Sequence, residues 1–165
     1  ASQGDANAQY KLGDMYYYGE GVEKDNKKAF EWYEKAFESY KKAASQGDAN
    51  AQYKLGDMYY YEKGVEKDYK KAFEWYEKAA SQGLTIAQYY LGDMYNDHYG
   101  EGVEKDYKKA KEWFEKAASQ GYADAQYSLG NMYKYGRGVE KDSKKAKKLF
   151  KEACDGGHQD SCKLI

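Results

Sequence analysis

Residues 44–61 read ASQGDANAQYKLGDMYYY, and the same letters in the same order form residues 1–18. The tripeptide Ala-Gln-Tyr recurs at residues 8–10, 51–53, 87–89 and 125–127, with spacings of 43, 36 and 38 residues. The pentapeptide Gly-Val-Glu-Lys-Asp recurs at 21–25, 64–68, 102–106 and 138–142, with spacings of 43, 38 and 36 residues. A period of 36 residues with two local insertions is typical of a repeat architecture.

Each repeat is predicted to form two helices joined by a short loop. The first helix is expected from about Ala6 to Tyr18, with Asp5 as its N-cap, because its apolar residues recur at helical spacing. The second helix is expected after another N-cap, Asp25. No stretch alternates with a period of two residues, so strands are not expected.

One such hairpin cannot bury its apolar face alone, whereas stacked hairpins can. The predicted fold is therefore all-α, a right-handed α/α superhelical solenoid of helix-turn-helix repeats. We expect a single solenoid domain over residues 1–165. Its repeats are predicted at about 5–47, 48–83, 84–121 and 122–157, followed by a C-terminal cap at 158–165.

Three irregularities distinguish the repeats. Seven extra residues near 37–43 are predicted to lengthen the second helix of the first repeat by roughly 10 Å. The expected apolar stripe of that helix runs through Ala29, Tyr33, Ala36, Tyr40 and Ala43. The third repeat has two extra residues within 96–99, which lengthen its loop. In the second repeat Glu62 and Lys63 replace Gly19 and Glu20, and loss of that glycine predicts a first helix one turn longer.

Charge and composition exclude several classes of function. The chain has 27 Lys and Arg against 28 Asp and Glu, a net charge of −1. This balance gives no electrostatic reason to bind nucleic acid or an anionic membrane. No run of 18 apolar residues predicts a membrane span. There is no phosphate-binding loop and no metal-ligand spacing, so neither a cofactor nor a metal is expected.

The repeated motifs resemble a known family. Residues 12–16 fit the Leu-Gly-x-x-Tyr pattern of tetratricopeptide repeats, and Ala29-x-x-x-Tyr33-x-x-Ala36 fits their second helix. The loop Gly-x-Gly-Val-x-x-Asp and the period are similar to those of the Sel-one-like repeat (SLR) family, a relative of the tetratricopeptide repeats. The resemblance implies an adaptor or scaffold that binds a protein or peptide. Nothing in the sequence argues for catalysis, so the chain is not expected to be an enzyme. The near-identity of the first two repeats supports an alternative, an engineered scaffold without a natural ligand.

The resemblance also implies where a partner binds. In tetratricopeptide-like solenoids the first helix of each repeat lines a concave groove, which here would carry tyrosines beside a ladder of carboxylates and amides. The predicted partner-binding residues are Tyr10, Asp14, Tyr17, Tyr53, Asp57, Tyr60, Tyr89, Asp93, Asn96, Tyr127, Asn131 and Lys134. The carboxylates favour a basic or amide-rich peptide. The alternative for the Ala-Gln-Tyr tyrosines is packing between repeats.

The two cysteines, Cys154 and Cys162, are eight residues apart across a helix-to-helix turn. That arrangement can bring two Cα atoms within disulfide range, although two reduced thiols are the alternative. The cysteine-rich secreted branch of the SLR family carries pairs at this spacing and position. The resemblance therefore implies a disulfide that fixes residues 160–165 to the end of the solenoid. If the disulfide is native, the protein is expected to be secreted or periplasmic, and localisation is otherwise open, as is the oligomeric state.

The same branch implies a third alternative, an enzyme acting on β-lactams or cell-wall fragments. Ser39-x-x-Lys42 formally matches the Ser-x-x-Lys motif of penicillin-recognising enzymes. The motif lies on a charged amphipathic helix, and its partner motifs Ser-Asp-Asn and Lys-Thr-Gly are absent from the sequence. No catalytic residue is therefore predicted.

Overall fold

The computed structural model describes residues 3–97 and 103–165, and these residues form nine α-helices and no strand. In chain order the helices are α1 (Gln3–Tyr18), α2 (Asn26–Ser45), α3 (Ala49–Tyr61), α4 (Tyr69–Ser81), α5 (Thr85–Asn96), α6 (Tyr107–Ser119), α7 (Ala123–Tyr135), α8 (Ser143–Asp155) and α9 (Gln159–Cys162). Helices α1 to α8 form four hairpins, each with a first and a second helix. The predicted all-α class and helix-turn-helix repeats are confirmed.

Aspartate side chains start most of these helices. Asp25 accepts a hydrogen bond from the backbone N–H of Lys28 at 3.0 Å, and Asp48 accepts one from Ala51 at 2.8 Å. The prediction that Asp5 is an N-cap is wrong, because α1 begins at Gln3 and Asp5 lies in its first turn. Asp48 follows a turn in which its own N–H donates to the carbonyl of Ala43, five residues upstream.

Helix α2 has 20 residues, whereas α4, α6 and α8 have 13 each, so the predicted lengthening is confirmed. Its sequence contains the second-helix pattern twice, with a shift of seven residues. Residues 26–32 match 69–75 except at the first position, and residues 33–47 match 69–83 except at three positions. A single helix can therefore serve as the second helix of the first repeat and also carry the next repeat at the ordinary 36-residue spacing.

Tyr33 makes the contacts expected of both copies of the second-helix pattern. Its hydroxyl donates to Asp14 of α1 at 2.7 Å, as expected of the second helix of the first repeat. Its backbone also lies directly against Gly64, the loop glycine of the second repeat. The buried stripe of α2 runs through Ala29, Tyr33, Ala36 and Tyr40 as predicted. It ends at Ala44, because Ala43 is only half-buried.

The end of helix α3 differs from the prediction made from the sequence. Helix α3 ends at Tyr61, the counterpart of the last residue of α1, so the extra turn expected from the loss of glycine is wrong. Glu62 instead adopts the left-handed conformation with φ 58°, and its N–H donates to the carbonyl of Met58. A Cβ on Gly64 would lie 2.6 Å from the backbone of Tyr33. Gly64 therefore lies directly against α2.

The glycine of each Leu-Gly pair lets the two helices of a hairpin approach closely. A Cβ on this glycine would lie 2.5 to 2.8 Å from an aromatic ring of the second helix, closer than packed carbon atoms come. The four pairs are Gly13 with Tyr33, Gly56 with Tyr76, Gly92 with Phe114, and Gly130 with Phe150. An aromatic side chain thus fills the space that any larger residue would need.

The chain divides into two compact units, an N-terminal unit that ends at Gln82 and a C-terminal unit that begins at Gly83. Each has its own core of alanine, leucine, methionine and aromatic side chains. The expected single domain and its repeat boundaries stay predictions. Of the insertion at 96–99, residues 98 and 99 lie outside the described residues. No helix in the described ranges is long and apolar enough to cross a membrane.

Candidate partner-binding surface

The Ala-Gln-Tyr tyrosines pack inside their own hairpins. Each ring lies 5.4 to 5.9 Å, centroid to centroid, from an aromatic ring of the second helix. The pairs are Tyr10 with Tyr33, Tyr53 with Tyr76, Tyr89 with Phe114, and Tyr127 with Phe150. Burial raises the pKa of Tyr10 to about 12 and also raises the pKa of Tyr89. These rings stabilise the hairpins, and a contribution to partner binding stays a prediction.

Asp14 and Asp57 occupy equivalent positions on α1 and α3. Each accepts a hydrogen bond from a tyrosine of the second helix, Tyr33 at 2.7 Å and Tyr76 at 2.8 Å. Asp57 is buried, and this burial raises the pKa of its carboxyl group although the hydrogen bond from Tyr76 acts in the opposite direction. The Nζ atom of Lys54 lies 3.9 Å from the Asp57 carboxylate.

The corresponding positions of the C-terminal unit differ in burial and in the residue that faces them from the second helix. Asp93 and Asn131, the equivalents of Asp14 and Asp57, are both half-buried. The second-helix residues of these two repeats are Phe114 and Phe150, which have no hydroxyl to donate. A hydrogen bond from a tyrosine at this second-helix position is therefore possible only in the first two repeats.

Lys63 is a charged residue of this surface that the sequence did not reveal. Its Nζ donates to Asp14 Oδ1 at 2.7 Å and lies 4.7, 5.2 and 5.9 Å from the ring centroids of Tyr10, Tyr33 and Tyr18. Burial by itself favours the neutral amine, yet the hydrogen bonds with Asp14 and Tyr10 raise the pKa of Lys63 above its ordinary value. Lys63 thus carries a fixed positive charge that neutralises Asp14. The available signal was the charge reversal from Glu20 at the equivalent position.

Pairs of tyrosines whose rings contact each other lie at the C-terminal ends of α1 and α3. Tyr17 and Tyr18 are 45% and 60% exposed, and their ring centroids are 4.9 Å apart. Tyr60 is half-buried and Tyr61 is 50% exposed, with centroids 4.7 Å apart. The Nζ atom of Lys24 lies 5.7 Å from the Tyr17 ring. Tyr17 is thus the predicted tyrosine with the most accessible ring.

In the C-terminal unit two predicted residues, Asn96 and Lys134, are half-buried. Lys134 Nζ lies 5.3 Å from the ring of Tyr135, which is itself exposed. This unit therefore presents one exposed tyrosine beside a lysine where the N-terminal unit presents tyrosine pairs. The structure brings the predicted residues of each unit onto its first helices.

Ser39 of the Ser-x-x-Lys motif has a structural partner. It is buried, and its hydroxyl donates to Gln9 Oε1 at 2.8 Å, while Lys42 is exposed. The same position of later repeats holds a glutamine that makes an equivalent bond, from Gln82 to Gln52 and from Gln120 to Gln88, each at 2.8 Å. Ser39 therefore belongs to a repeated contact between the two helices of a hairpin.

The structure contains the Cys154–Cys162 disulfide, with the two Cα atoms 4.9 Å apart. It joins α8 to the four-residue helix α9. The Nδ1 atom of His158 accepts a hydrogen bond from the backbone N–H of Ser161 at 3.2 Å and so caps α9. The His158 ring stacks on Tyr127 with centroids 4.3 Å apart. The chain end is thus held by a covalent bond, a cap and an aromatic contact.

Ser161, His158 and Asp124 have the composition of a hydrolase triad. Ser161 Oγ lies 2.8 Å from His158 Nδ1, and Asp124 Oδ1 lies 3.7 Å from His158 Nε2. Ser161 has no solvent-accessible surface, so its hydroxyl cannot reach a substrate. Within residues 3–97 and 103–165 no group of three or more His, Cys, Asp or Glu is placed to hold a metal ion.

The chain matches the model of the Sel1 repeat family at residues 6–39, 40–48, 49–84, 85–122 and 123–158. The separate short match at 40–48 begins in the second half of α2, where the second-helix pattern occurs for the second time, and ends at Asp48, the N-cap of α3. An uncharacterized Sel1-like repeat-containing protein of Schizosaccharomyces pombe is 55% identical over 38 residues, which are 23% of this chain and 6% of that protein.

Solved structures give the same assignment. A Sel1 repeat protein from Oxalobacter formigenes is 35% identical with a TM-score of 0.72, and the match covers 94% of this chain and 60% of that one. A protective antigen of uropathogenic Escherichia coli with an SLR fold is 31% identical with a TM-score of 0.73, covering 96% and 40%. Cysteine rich protein B of Helicobacter pylori is 29% identical with a TM-score of 0.60, covering 78% and 96%. The chain thus spans less than two thirds of the length of the Oxalobacter formigenes and Escherichia coli proteins.

Proposed function

This chain belongs to the Sel1 repeat family, whose members are generally protein-interaction scaffolds, and we propose that it binds a peptide or protein segment along the first helices of its repeats. The observation that carries this proposal is the exposed, mutually contacting pair Tyr17 and Tyr18 at the end of α1. A similar pair at the end of α3 supports it.

Two tyrosine rings in contact form a surface suited to recognition. Tyrosine combines a large, rigid apolar area with a hydroxyl, and ordering it costs little conformational entropy. Tyrosine is also enriched at protein interfaces relative to the rest of the surface. Lys24 and Lys63 lie within 6 Å of these rings and add positive charge at their edge.

The neighbouring charges narrow the chemistry of the partner. Asp14 is neutralised by Lys63, and Asp57 is buried beside Lys54, so α1 and α3 offer little free negative charge at these positions. We therefore expect an amide-rich segment with apolar side chains in preference to a basic one. Its apolar groups would contact the rings, and its backbone amides would hydrogen-bond with the tyrosine hydroxyls.

A peptide array followed by fluorescence anisotropy tests the proposal. The best-binding peptide is titrated against the unmodified chain and against the double variant Tyr17→Ala/Tyr60→Ala. Because aromatic anchors at interfaces contribute about 1–2 kcal/mol or more, the double variant is expected to bind at least about tenfold more weakly. Phe30→Ala is the matched control, since Phe30 is 46% exposed, as Tyr17 is 45% exposed, but lies on α2.

Two results contradict the proposal. One is an array on which no peptide binds above background across amide-rich, acidic and basic sequences. The other is an equal loss of affinity in Phe30→Ala and in Tyr17→Ala/Tyr60→Ala. Circular dichroism of each variant shows whether the helices are retained, so that a loss of binding is not confused with unfolding.

A further inference from the structure

The start of α8 differs from the start of the other second helices in the partner of one lysine. Each second helix has a lysine three residues after its N-cap aspartate, and in α2, α4 and α6 the two side chains form an ion pair. These pairs are Lys28 with Asp25 at 3.6 Å, Lys71 with Asp68 at 3.3 Å and Lys109 with Asp106 at 4.0 Å. In α8 the Nζ atom of Lys145 instead donates a hydrogen bond to the hydroxyl of Tyr133 at 2.7 Å.

This bond leaves the Tyr133 hydroxyl with a proton to donate. An ammonium group can only donate hydrogen bonds, so the oxygen of Tyr133 is the acceptor. The O–H of Tyr133 donates to no residue within the described ranges. The same bond raises the pKa of Lys145, so the lysine keeps its charge. A hydroxyl donor and an ammonium group side by side suit an anionic oxygen as their common acceptor.

Tyr133 and Lys145 line a cavity of about 550 Å³ beside the loop that precedes α8. Cavities at the same place in the first and second repeats have volumes of about 470 and 420 Å³, so the cavity is a feature of the repeat. The charge of Lys111, at its edge, is matched by Glu115 at 3.1 Å. The other polar side chains of the lining are Glu140, Lys141, Asp142, Ser143 and Lys144.

Positive charge exceeds negative charge in this lining. Lys141 and Lys144 are exposed, and neither forms an ion pair in the part of the chain that the structure describes. With Lys145 they supply three ammonium groups against the carboxylates of Glu140 and Asp142. Asp142 is already engaged, because its Oδ1 accepts the backbone N–H groups of Lys144 and Lys145 at 3.0 and 2.9 Å.

The outer face of α8 continues this positive charge along the helix. The first three repeats have Glu-x-x-Glu at one point of the second helix, at residues 31–34, 74–77 and 112–115, where α8 has Lys148-x-x-Lys151. Lys144, Lys148 and Lys151 are exposed and lie on one face of α8, and we call them the lysine row. The ion pair of Lys148 with Glu152, at 3.8 Å and largely exposed, is a weak one.

The exposure of this face does not come from the absence of a neighbour. Glu112 of α6, the equivalent of Lys148, is exposed although α7 packs on α6. The face therefore points away from the adjoining hairpin in another repeat of the same unit as well. The reversal from glutamate to lysine thus changes the charge of a surface that a partner can reach.

From this arrangement we propose that the start and outer face of α8 bind an acidic segment of a partner protein. One carboxylate of the segment lies in the cavity, where it accepts the O–H of Tyr133 beside Lys145. The next carboxylates along the segment face Lys148 and Lys151. These residues are distinct from the tyrosine pair of α1, so the inference goes beyond the proposed function and does not rest on it.

The extent of the positive surface favours a short protein segment over a nucleic acid or an anionic membrane. The lysine row spans seven residues of helix, or about 10 Å. The exposed Glu112 of α6, in the same unit, would repel a polyanion that extended beyond α8. Tight binding to a membrane or a nucleic acid requires many basic residues, since each contributes only about 1 kcal/mol near an anionic membrane. A few aspartates or glutamates match the lysine row one to one.

Fluorescence anisotropy of the complete chain with a labelled peptide of alternating glutamate and serine tests the proposal. The peptide is expected to bind at low salt, and its affinity should fall as salt is added, because exposed charges are screened. The same peptide with glutamine in place of glutamate should bind at least about tenfold more weakly, because it offers no carboxylate.

The variant Tyr133→Phe tests the hydroxyl donor. It keeps the ring and removes the O–H, and it should weaken binding of the glutamate peptide by about tenfold, since hydrogen bonds to charged groups are strong. Tyr59→Phe is the matched control, because Tyr59 holds the same position in the second repeat, where Lys71 pairs with Asp68. Its affinity for the peptide should equal that of the unmodified chain.

The variant Lys148→Gln/Lys151→Gln tests the lysine row. It should weaken binding by about threefold to tenfold, because two exposed charge pairs are lost. Lys41→Gln/Lys42→Gln is the matched control, since it changes the net charge equally at two exposed positions of α2. The control should leave the affinity nearly unchanged. Circular dichroism of every variant separates loss of binding from loss of helix.

Three outcomes would overturn the inference. The first is a glutamine peptide that binds as tightly as the glutamate peptide. The second is an equal affinity of Tyr133→Phe and Tyr59→Phe for the glutamate peptide. The third is a thymidine oligonucleotide or a phosphatidylserine vesicle that binds more tightly than the peptide at the same salt concentration. Binding of the glutamate peptide should persist in Tyr17→Ala/Tyr60→Ala, so failure of the proposed function is distinguished from failure of this inference.

Discussion

The substitution Gly56→Ala tests why a glycine follows the leucine in every repeat. The new Cβ would lie 2.5 Å from both Cδ1 and Cε1 of Tyr76. The Tyr76 side chain is fully buried, its ring stacks on Tyr53 with centroids 5.9 Å apart, and its hydroxyl donates to Asp57 at 2.8 Å. The ring cannot retreat without disturbing one of these contacts.

The expected size of the effect follows from three contributions. Ordinary carbon contacts require the ring to move by about 1 Å, and overpacking of this kind costs about 1–3 kcal/mol. Weakening the hydrogen bond to buried Asp57 adds about 1 kcal/mol. Alanine is about 1 kcal/mol better than glycine within a helix, which offsets part of the loss. The free energy of unfolding should fall by about 1–3 kcal/mol, and Tm by about 2–10 °C.

Urea and thermal unfolding followed by circular dichroism measure this change. The same substitution in a Tyr76→Ala background is the control, because the ring that causes the clash is then absent. In that background Gly56→Ala should stabilise the protein by about 1 kcal/mol through helix propensity alone. If Gly56→Ala stabilises the otherwise unmodified chain, the close approach of the helices is not the reason for the glycine.

Two further predictions concern the charged groups of α1 and α3. Because burial raises the pKa of Asp57, protonation of this carboxyl group stabilises the folded protein. The stabilisation is complete below the unfolded pKa of about 4 and is lost as the pH rises through the folded pKa. Asp57→Asn introduces the residue type of Asn131. It should therefore increase the free energy of unfolding at neutral pH and make that free energy depend less on pH, as measured by urea unfolding at several pH values. A loss of stability at neutral pH would contradict this prediction. Lys63→Met should lower the free energy of unfolding by about 1–2 kcal/mol, because Asp14 loses its partner. A double-mutant cycle with Asp14→Asn should show positive coupling between the two residues. Additive losses would mean that the ion pair does not contribute to stability.

Much of the fold was accessible from the sequence because repeat proteins are built from local patterns. The Gly-Val-Glu-Lys-Asp marker places a helix-capping aspartate 17 residues after the start of the Ala-Gln-Tyr marker in three repeats and 19 residues after it in the third, so the helices could be predicted. The left-handed conformation of Glu62 could not be predicted, since glycine is the residue that usually adopts it at the end of a helix and no glycine marks this position. The contact of Gly64 with Tyr33 of α2 could not be predicted either, since the two residues are distant in sequence.

The candidate surface was predictable only in part. Helical periodicity places Tyr17, Tyr53 and Asp57 on one side of the first helices, but it does not distinguish a side chain that faces solvent from one that packs against the second helix of its own hairpin. In the structure Tyr17 is exposed, whereas Tyr53 and Asp57 are buried. The neutralisation of Asp14 by Lys63 joins residues 49 positions apart, beyond the reach of any local pattern.

Nuclear magnetic resonance of a chain with isotope-labelled tyrosine rings, recorded during titration with the best-binding peptide, tests the central claim most directly. The ring signals of Tyr17 and Tyr18 should shift in proportion to occupancy, while those of fully buried Tyr40 and Tyr76 stay in place. Saturable binding that leaves the Tyr17 and Tyr18 signals unmoved would contradict recognition along the first helices.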